Sequence, residues 1–319
     1  MWRATLSNLG RMNILWQMKL LRSTLVLSFV LINGEFISKS SQVKLKGSEV
    51  SEVRMSDAVT DDDKTSYRGY LIRKRVRKVE IDEPLEGSQP YFADDEYATL
   101  IRDGRTVLRF DGMYEPMGNS MKVGLFSFLG ASQKQFIVSQ DTFRGGNQWV
   151  VTLQRGPRVI YDGRAWKTGR EVDDMSLVDL DNDGVYEISV PTCIFYGFES
   201  LCPGCTPLPT IIFKYSNKTG RYLPANRQFA HYLLANVEDQ KQKVQSVGSP
   251  LDNMNHLSGV LTVVLDYVFA GRAHEAWTFY DRAYKLPDKH KIKKEIRAKL
   301  RESPVYRFIY SKHTSRPKI

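Results

Sequence analysis

The chain has 319 residues, with a hydrophobic fraction of 42% and an aromatic fraction of 11%. That composition excludes a disordered polymer and provides for one large or two ordinary cores. The formal charge of +10 is uneven: residues 1–40 hold five bases (Arg3, Arg11, Lys19, Arg22, Lys39) and one acid (Glu35), leaving +6 spread over the rest. A balance so modest over so large a body points to solubility rather than to a dedicated nucleic-acid binder.

Lys19 and Arg22 precede the ten-residue, mostly apolar run from Ser23 to Ile32. A bilayer span needs roughly 20 residues, so this run is too short to cross one. It has the proportions of a secretory h-region behind a basic n-region; the alternative is a buried strand or helix. Residues 1–34 are therefore read as a signal peptide, with Met12 and Met18 as alternative starts. Cleavage is placed between Asn33 and Ser41, where Ser38-Lys39-Ser40 is the nearest small-x-small pattern. Export to the periplasm, the cell envelope or the exterior follows, with no transmembrane helix expected beyond the signal segment.

Residues 35–66 are rich in Ser, Lys, Asp and Glu and end in Asp61-Asp62-Asp63-Lys64. Few large apolar side chains offset the ordering entropy, so the segment reads as a flexible linker with a solvated acidic triplet. From Tyr67 the chain turns to short β-branched and aromatic runs, at 106–110, 135–139, 148–153 and 158–161, punctuated by Gly and Asp. These are strand and hairpin signals. The basic stretch 73–79 alternates in part and reads as a strand with one wet face. Residues 67–224 are thus expected to form an antiparallel β-rich domain, a sandwich or a partial propeller-like sheet.

After Pro224 the period changes. Residues 226–243 read as a helix, as do 253–284 with Gly271 as a break or kink, and Asp288–Arg301, closed by Pro304. Residues 305–310 read as a returning strand or a docked extension. The whole is an α+β order, with a helical region at 225–319 packed on the β domain.

Between two strand signals lies Asp179-Leu180-Asp181-Asn182-Asp183-Gly184-Val185-Tyr186-Glu187. Three aspartates at alternate positions of a tight loop converge, and Gly184 permits the sharp turn. Hard Ca²⁺ takes six to eight oxygens, so the expected ligands are Asp179, Asp181, Asp183, the Val185 backbone carbonyl and Glu187. Without a cation, four adjacent carboxylates repel one another. An EF-hand would need a glutamate where Val190 stands. With strand-like flanks, the loop instead resembles the calcium hairpin of the FG-GAP repeat of the integrin-α type, with Glu187 in place of that family's usual aspartate. The resemblance covers Leu177 to Val190; the repetition that builds a propeller is absent. More broadly, the segments 124–130, 144–149, 208–215 and 222–226 together with the loop resemble bacterial exported proteins of unknown function carrying one such repeat.

Other motifs give less. Cys202-Pro203-Gly204-Cys205 lies among prolines that enforce a loop, so a structural Cys202–Cys205 disulfide is expected rather than a redox site; pairing of Cys193 with either is the alternative. His274-Glu275-Ala276-Trp277-Thr278 has Thr278 where a zinc helix needs its second histidine. Arg144-Gly145-Gly146 lacks the residues of a phosphate loop, and Asn217-Lys218-Thr219 is a sequon within a turn. The lysine-rich helix from Asp288 is read as docked on the body through Ile292, Ile296 and Leu300, with lysines in water; the alternative lays it on an anionic surface. No catalytic constellation emerges. The expectation is an exported calcium-binding β-rich protein with a binding or structural role toward a protein or surface glycan, and no enzyme. The alternatives are an envelope hydrolase with dispersed active-site residues, or a nucleic-acid-binding protein if the chain is not exported.

Overall fold

The computed structural model describes residues 52–81, 91–112, 119–142, 145–168, 175–246 and 253–311. The expected signal segment, its cleavage region, the linker as far as residue 51, and Arg144 lie outside the described residues.

Fourteen strands among the described residues pair into three antiparallel sheets, none closed into a barrel. The first sheet has the order β1 (Glu52–Arg54), β11 (Ser176–Val178), β12 (Glu187–Pro191), β13 (Thr210–Ser216), β14 (Arg221–Pro224). In the second sheet the order is β10 (Arg158–Asp162), β9 (Gly145–Thr152), β8 (Gln135–Thr142), β7 (Asn119–Phe126), β2 (Val59–Thr60). The third is a meander of β3 (Lys64–Tyr67), β4 (Tyr70–Ile81), β5 (Tyr91–Arg102) and β6 (Arg105–Asp111). The helices are α1 (Val237–Ser246), α2 (Asn253–Phe269), α3 (Ala273–Ala283), α4 (Lys289–Glu302) and α5 (Pro304–Tyr310), besides the single turns Gly163–Trp166 and Ala230–Leu233. The expected α+β order, antiparallel strands first and helices last, is the one observed.

The second sheet is the middle layer. Along β8 the side chains alternate between two cores. Ile137 joins Val150, Leu177, Ile188, Phe213 and the buried faces of the helices. Phe136 and Val138 face Ile72, Leu100, Met121 and Trp149 on the side of the third sheet. A strand buried on both faces has no polar alternation to show, and Gln135–Gln140 are all buried. Each fully buried large aliphatic or aromatic side chain stabilises the layer by roughly 1.5–3 kcal/mol relative to exposure.

Three expectations change. The linker does not extend to residue 66, because Glu52–Arg54 pairs with β11 and Val59–Thr60 with β7. Met55 and Val59 are buried and anchor an otherwise polar stretch. The helix expected at 226–243 begins late: Asn226 is spent capping the first sheet, its Oδ1 accepting from Ile212 N at 2.9 Å and its Nδ2 donating to Thr210 O at 3.1 Å. Residues 304–310 are helical and form no strand; Pro304 opens α5, and Ser303 Oγ accepts from Tyr306 N at 3.2 Å. The long helical stretch does break at Gly271, whose φ of 82° is left-handed. Residues 73–79 do lie in a strand, β4.

Candidate functional site

The acidic loop joins β11 to β12, two neighbours in the first sheet registered Val178 to Glu187. Asn182 (φ 55°) and Gly184 (φ 78°) both take left-handed backbone, which folds the loop back on its first residue. Asp179 holds it there. Its Oδ1 accepts from Asp183 N at 3.1 Å and its Oδ2 from Gly184 N at 3.0 Å. Asp183 Oδ1 accepts from Val185 N at 2.8 Å. Fully buried Glu187 reaches across the loop, its Oε2 accepting from Leu180 N at 2.9 Å.

The positive charge at the centre of the loop is a lysine. Lys214 Nζ, from β13, donates to Asp181 Oδ2 at 2.6 Å, Asp183 Oδ2 at 2.9 Å and Glu187 Oε1 at 3.0 Å. The register that pairs Ile188 with Phe213 carries Glu187 opposite Lys214, so this is a cross-strand ion pair extended by two loop aspartates. Gln228 Nε2 also reaches Asp181 Oδ2, at 3.4 Å.

Proton affinities follow this geometry. Burial works against the ionised form of Asp183, but the bonds from Lys214 and from Val185 N–H outweigh it and hold the carboxyl below its usual range. For Glu187 burial wins over the Leu180 N–H and the lysine, and the carboxyl is raised. Burial alone would lower the Lys214 ammonium, yet Asp181, Asp183 and Glu187 together drive it well upward.

Of the expected ligands, Asp179, Asp181 and Glu187 bring oxygens within 4.8 Å of one another. Asp183 joins them through Lys214, and Val185 is tied in through its N–H. Four carboxylates against one ammonium leave an excess of three negative charges if all are ionised. An all-oxygen donor set with surplus negative charge fits a hard divalent cation taking the place of the ammonium. Asp181 and Asp183, with side chains 34% and 45% exposed, leave that place reachable from solvent.

Lys214 is the residue that sequence reasoning missed. Its signal was a single charge inside the run Ile211-Ile212-Phe213-Lys214-Tyr215, but only the strand register says which acid it meets. Elsewhere, Cys202 and Cys205 are joined by a disulfide and Cys193 stands outside it. His274, Glu275 and Thr278 lie exposed on α3, and Asp61, Asp62 and Asp63 are exposed as well. No family model, no curated protein and no solved structure matches the chain.

Proposed function

We propose that this is an exported β-rich protein with a binding or structural role toward a protein or surface-glycan partner, in which the acidic hairpin is a calcium-responsive fastener of the first sheet. The observation that carries the reading is the convergence of Asp181, Asp183 and Glu187 on one cation, Lys214 Nζ. Those oxygens, with Asp179, are what Ca²⁺ would use, at about 2.3–2.6 Å. The spacing shared with the FG-GAP hairpin supports calcium as the exchanging ion. Export rests on the basic and apolar segment from Lys19 to Ile32. In this role the loop pins β12 to β13 and does no chemistry on a substrate.

Thermal melting in calcium and in chelator tests the fastener. Calcium at about a hundred times its Kd adds roughly 2.7 kcal/mol, which is about 5–10 °C for a domain of this size. The increment should be larger in Lys214→Met, where the ammonium no longer competes, and absent in Asp181→Ala. Identical curves in calcium and chelator for both wild type and Lys214→Met would leave Lys214 as the sole counter-ion and end the calcium reading.

A further inference from the structure

Helix α4 divides its charges unevenly around its axis. Ile292, Ile296 and Leu300 are buried against the body. On the outward side, His290, Lys294, Arg297 and Arg301 follow one another at intervals of four, three and four residues, and all four are exposed. That spacing is one straight ridge, with a basic residue at each turn of about 5.4 Å. Lys291 and Ala298 are the exposed positions beside it; Glu302, at the helix end, is bonded by Lys299 at 2.9 Å. The flanking lysines are committed, Lys293 to Asp281 at 2.6 Å and the exposed Lys291 to Glu199 at 3.3 Å. Lys294 and Arg301 make no ion pair with a described residue. Arg297 lies over the Trp277 ring, 4.7 Å from its centre, which fixes the guanidinium without neutralising it.

We propose that this ridge docks the protein on the anionic surface of a phospholipid bilayer, by charge alone and without insertion. The partner must be negatively charged, because Lys294, Arg297 and Arg301 give the ridge three cations and no acid lies on it. It is met without insertion, because the apolar stripe of α4 is spent on the body and the exposed large hydrophobics (Val76, Phe92, Val107, Tyr196) all lie outside the helices. A nucleic acid fits less well. The Trp277 ring, which could stack on a base, is covered by Arg297 and Lys293, and α4 exposes no Asn or Gln to read a base edge. The docking adds a lipid surface to the protein or surface-glycan partner proposed above and is independent of the calcium loop, so either can fail alone.

The test is co-sedimentation of the full chain with vesicles of phosphatidylcholine alone or with phosphatidylglycerol added. Residues 1–40 carry basic and apolar groups of their own, so the readout is the difference between wild type and ridge variants. Each cation near an anionic leaflet is worth roughly a factor of five in partitioning, so Lys294→Gln/Arg297→Gln/Arg301→Gln should lose about a hundred-fold. The difference should vanish on neutral vesicles and at about 0.5 M salt, where screening is short-ranged. If the triple variant melts early, Lys294→Gln/Arg301→Gln, which leaves the Trp277 stack intact, should still lose about twenty-five-fold by the same arithmetic. Unchanged partitioning of the variants, or a difference that persists on neutral vesicles, overturns the proposal. So does a ridge dependence that is stronger for a short DNA duplex than for anionic vesicles.

Discussion

The acidic hairpin at 179–187 and the basic helix at 289–302 each concentrate like charge, and they resolve that charge in opposite ways. In the hairpin the charge turns inward, with Glu187 fully buried and a lysine from the next strand delivered into the loop by register. In the helix the flanking lysines pair off with acids, and a basic ridge is left facing out. Charge neutralised inside the fold is structural, because removing one partner leaves the other stranded away from water. Charge left bare at the surface costs the fold almost nothing and stays available to a partner.

The largest effect should come from breaking the inward pair. Lys214→Met strands the Glu187 carboxylate and should cost about 2–4 kcal/mol in urea unfolding at neutral pH. Adding Glu187→Leu to Lys214→Met should recover much of the loss, since two apolar groups need no counter-charge. A double variant no better than the single one would mean that the pair is not what holds β12 to β13. The lysine also sets an alkaline limit. Its folded-state affinity for a proton is raised, so its stabilisation is complete below the unfolded value of about 10.4 and declines as pH climbs above that. On the alkaline side, the stability gap between wild type and Lys214→Met should therefore hold to about pH 10 and narrow above it.

The loop was legible in the sequence because its information is local: Asp at alternate positions, Gly184 for the turn and strand-like flanks all fall within fifteen residues. Lys214 was not legible, because it meets Glu187 through a pairing across 27 residues that depends on the loops between β12 and β13. The antiparallel class and the late helices were readable from periodicity. The layering was not, since β8 is buried on both faces, polar residues included, and carries no phase. Residues 52–60 read as linker because two buried side chains, Met55 and Val59, are too few to show a pattern. Asn226 reads as a helix start by residue type, and only the neighbouring strand reveals it as a sheet cap. The helical fate of 305–310 turned on Ser303 and Pro304, a start signal that competes with the β-prone composition of VYRFIY.

Asp266, in α2, shows what an inward acid does without a cation. Burial raises its carboxyl to about 7, against a smaller opposing contribution from the bond with Gln240. An acid raised on folding contributes stability that is present below its unfolded value of about 3.9 and is lost as pH rises through about 7. Asp266→Asn should therefore remove a pH-dependent loss of roughly 1–3 kcal/mol between pH 4 and 8, read from melting across that range. If both proteins fall in parallel with pH, Asp266 is not the group titrating. A smaller effect belongs to the cap of α5: Ser303→Ala should cost about 1 kcal/mol, measured by urea unfolding, by freeing Tyr306 N.

The smallest expected effect is the most informative about the outward region. Lys294→Gln/Arg301→Gln should change folding stability by less than about 0.5 kcal/mol, because neither side chain pairs with a described residue. A slight gain is the expected sign, since neighbouring like charges at four-residue spacing repel. A loss of 2 kcal/mol or more would place these cations among the structural charges, alongside Lys214, and erase the contrast between the two regions. A ridge whose removal leaves the fold intact while abolishing vesicle binding is a surface committed to a partner, and unfolding together with co-sedimentation on the same variant separates the two cases.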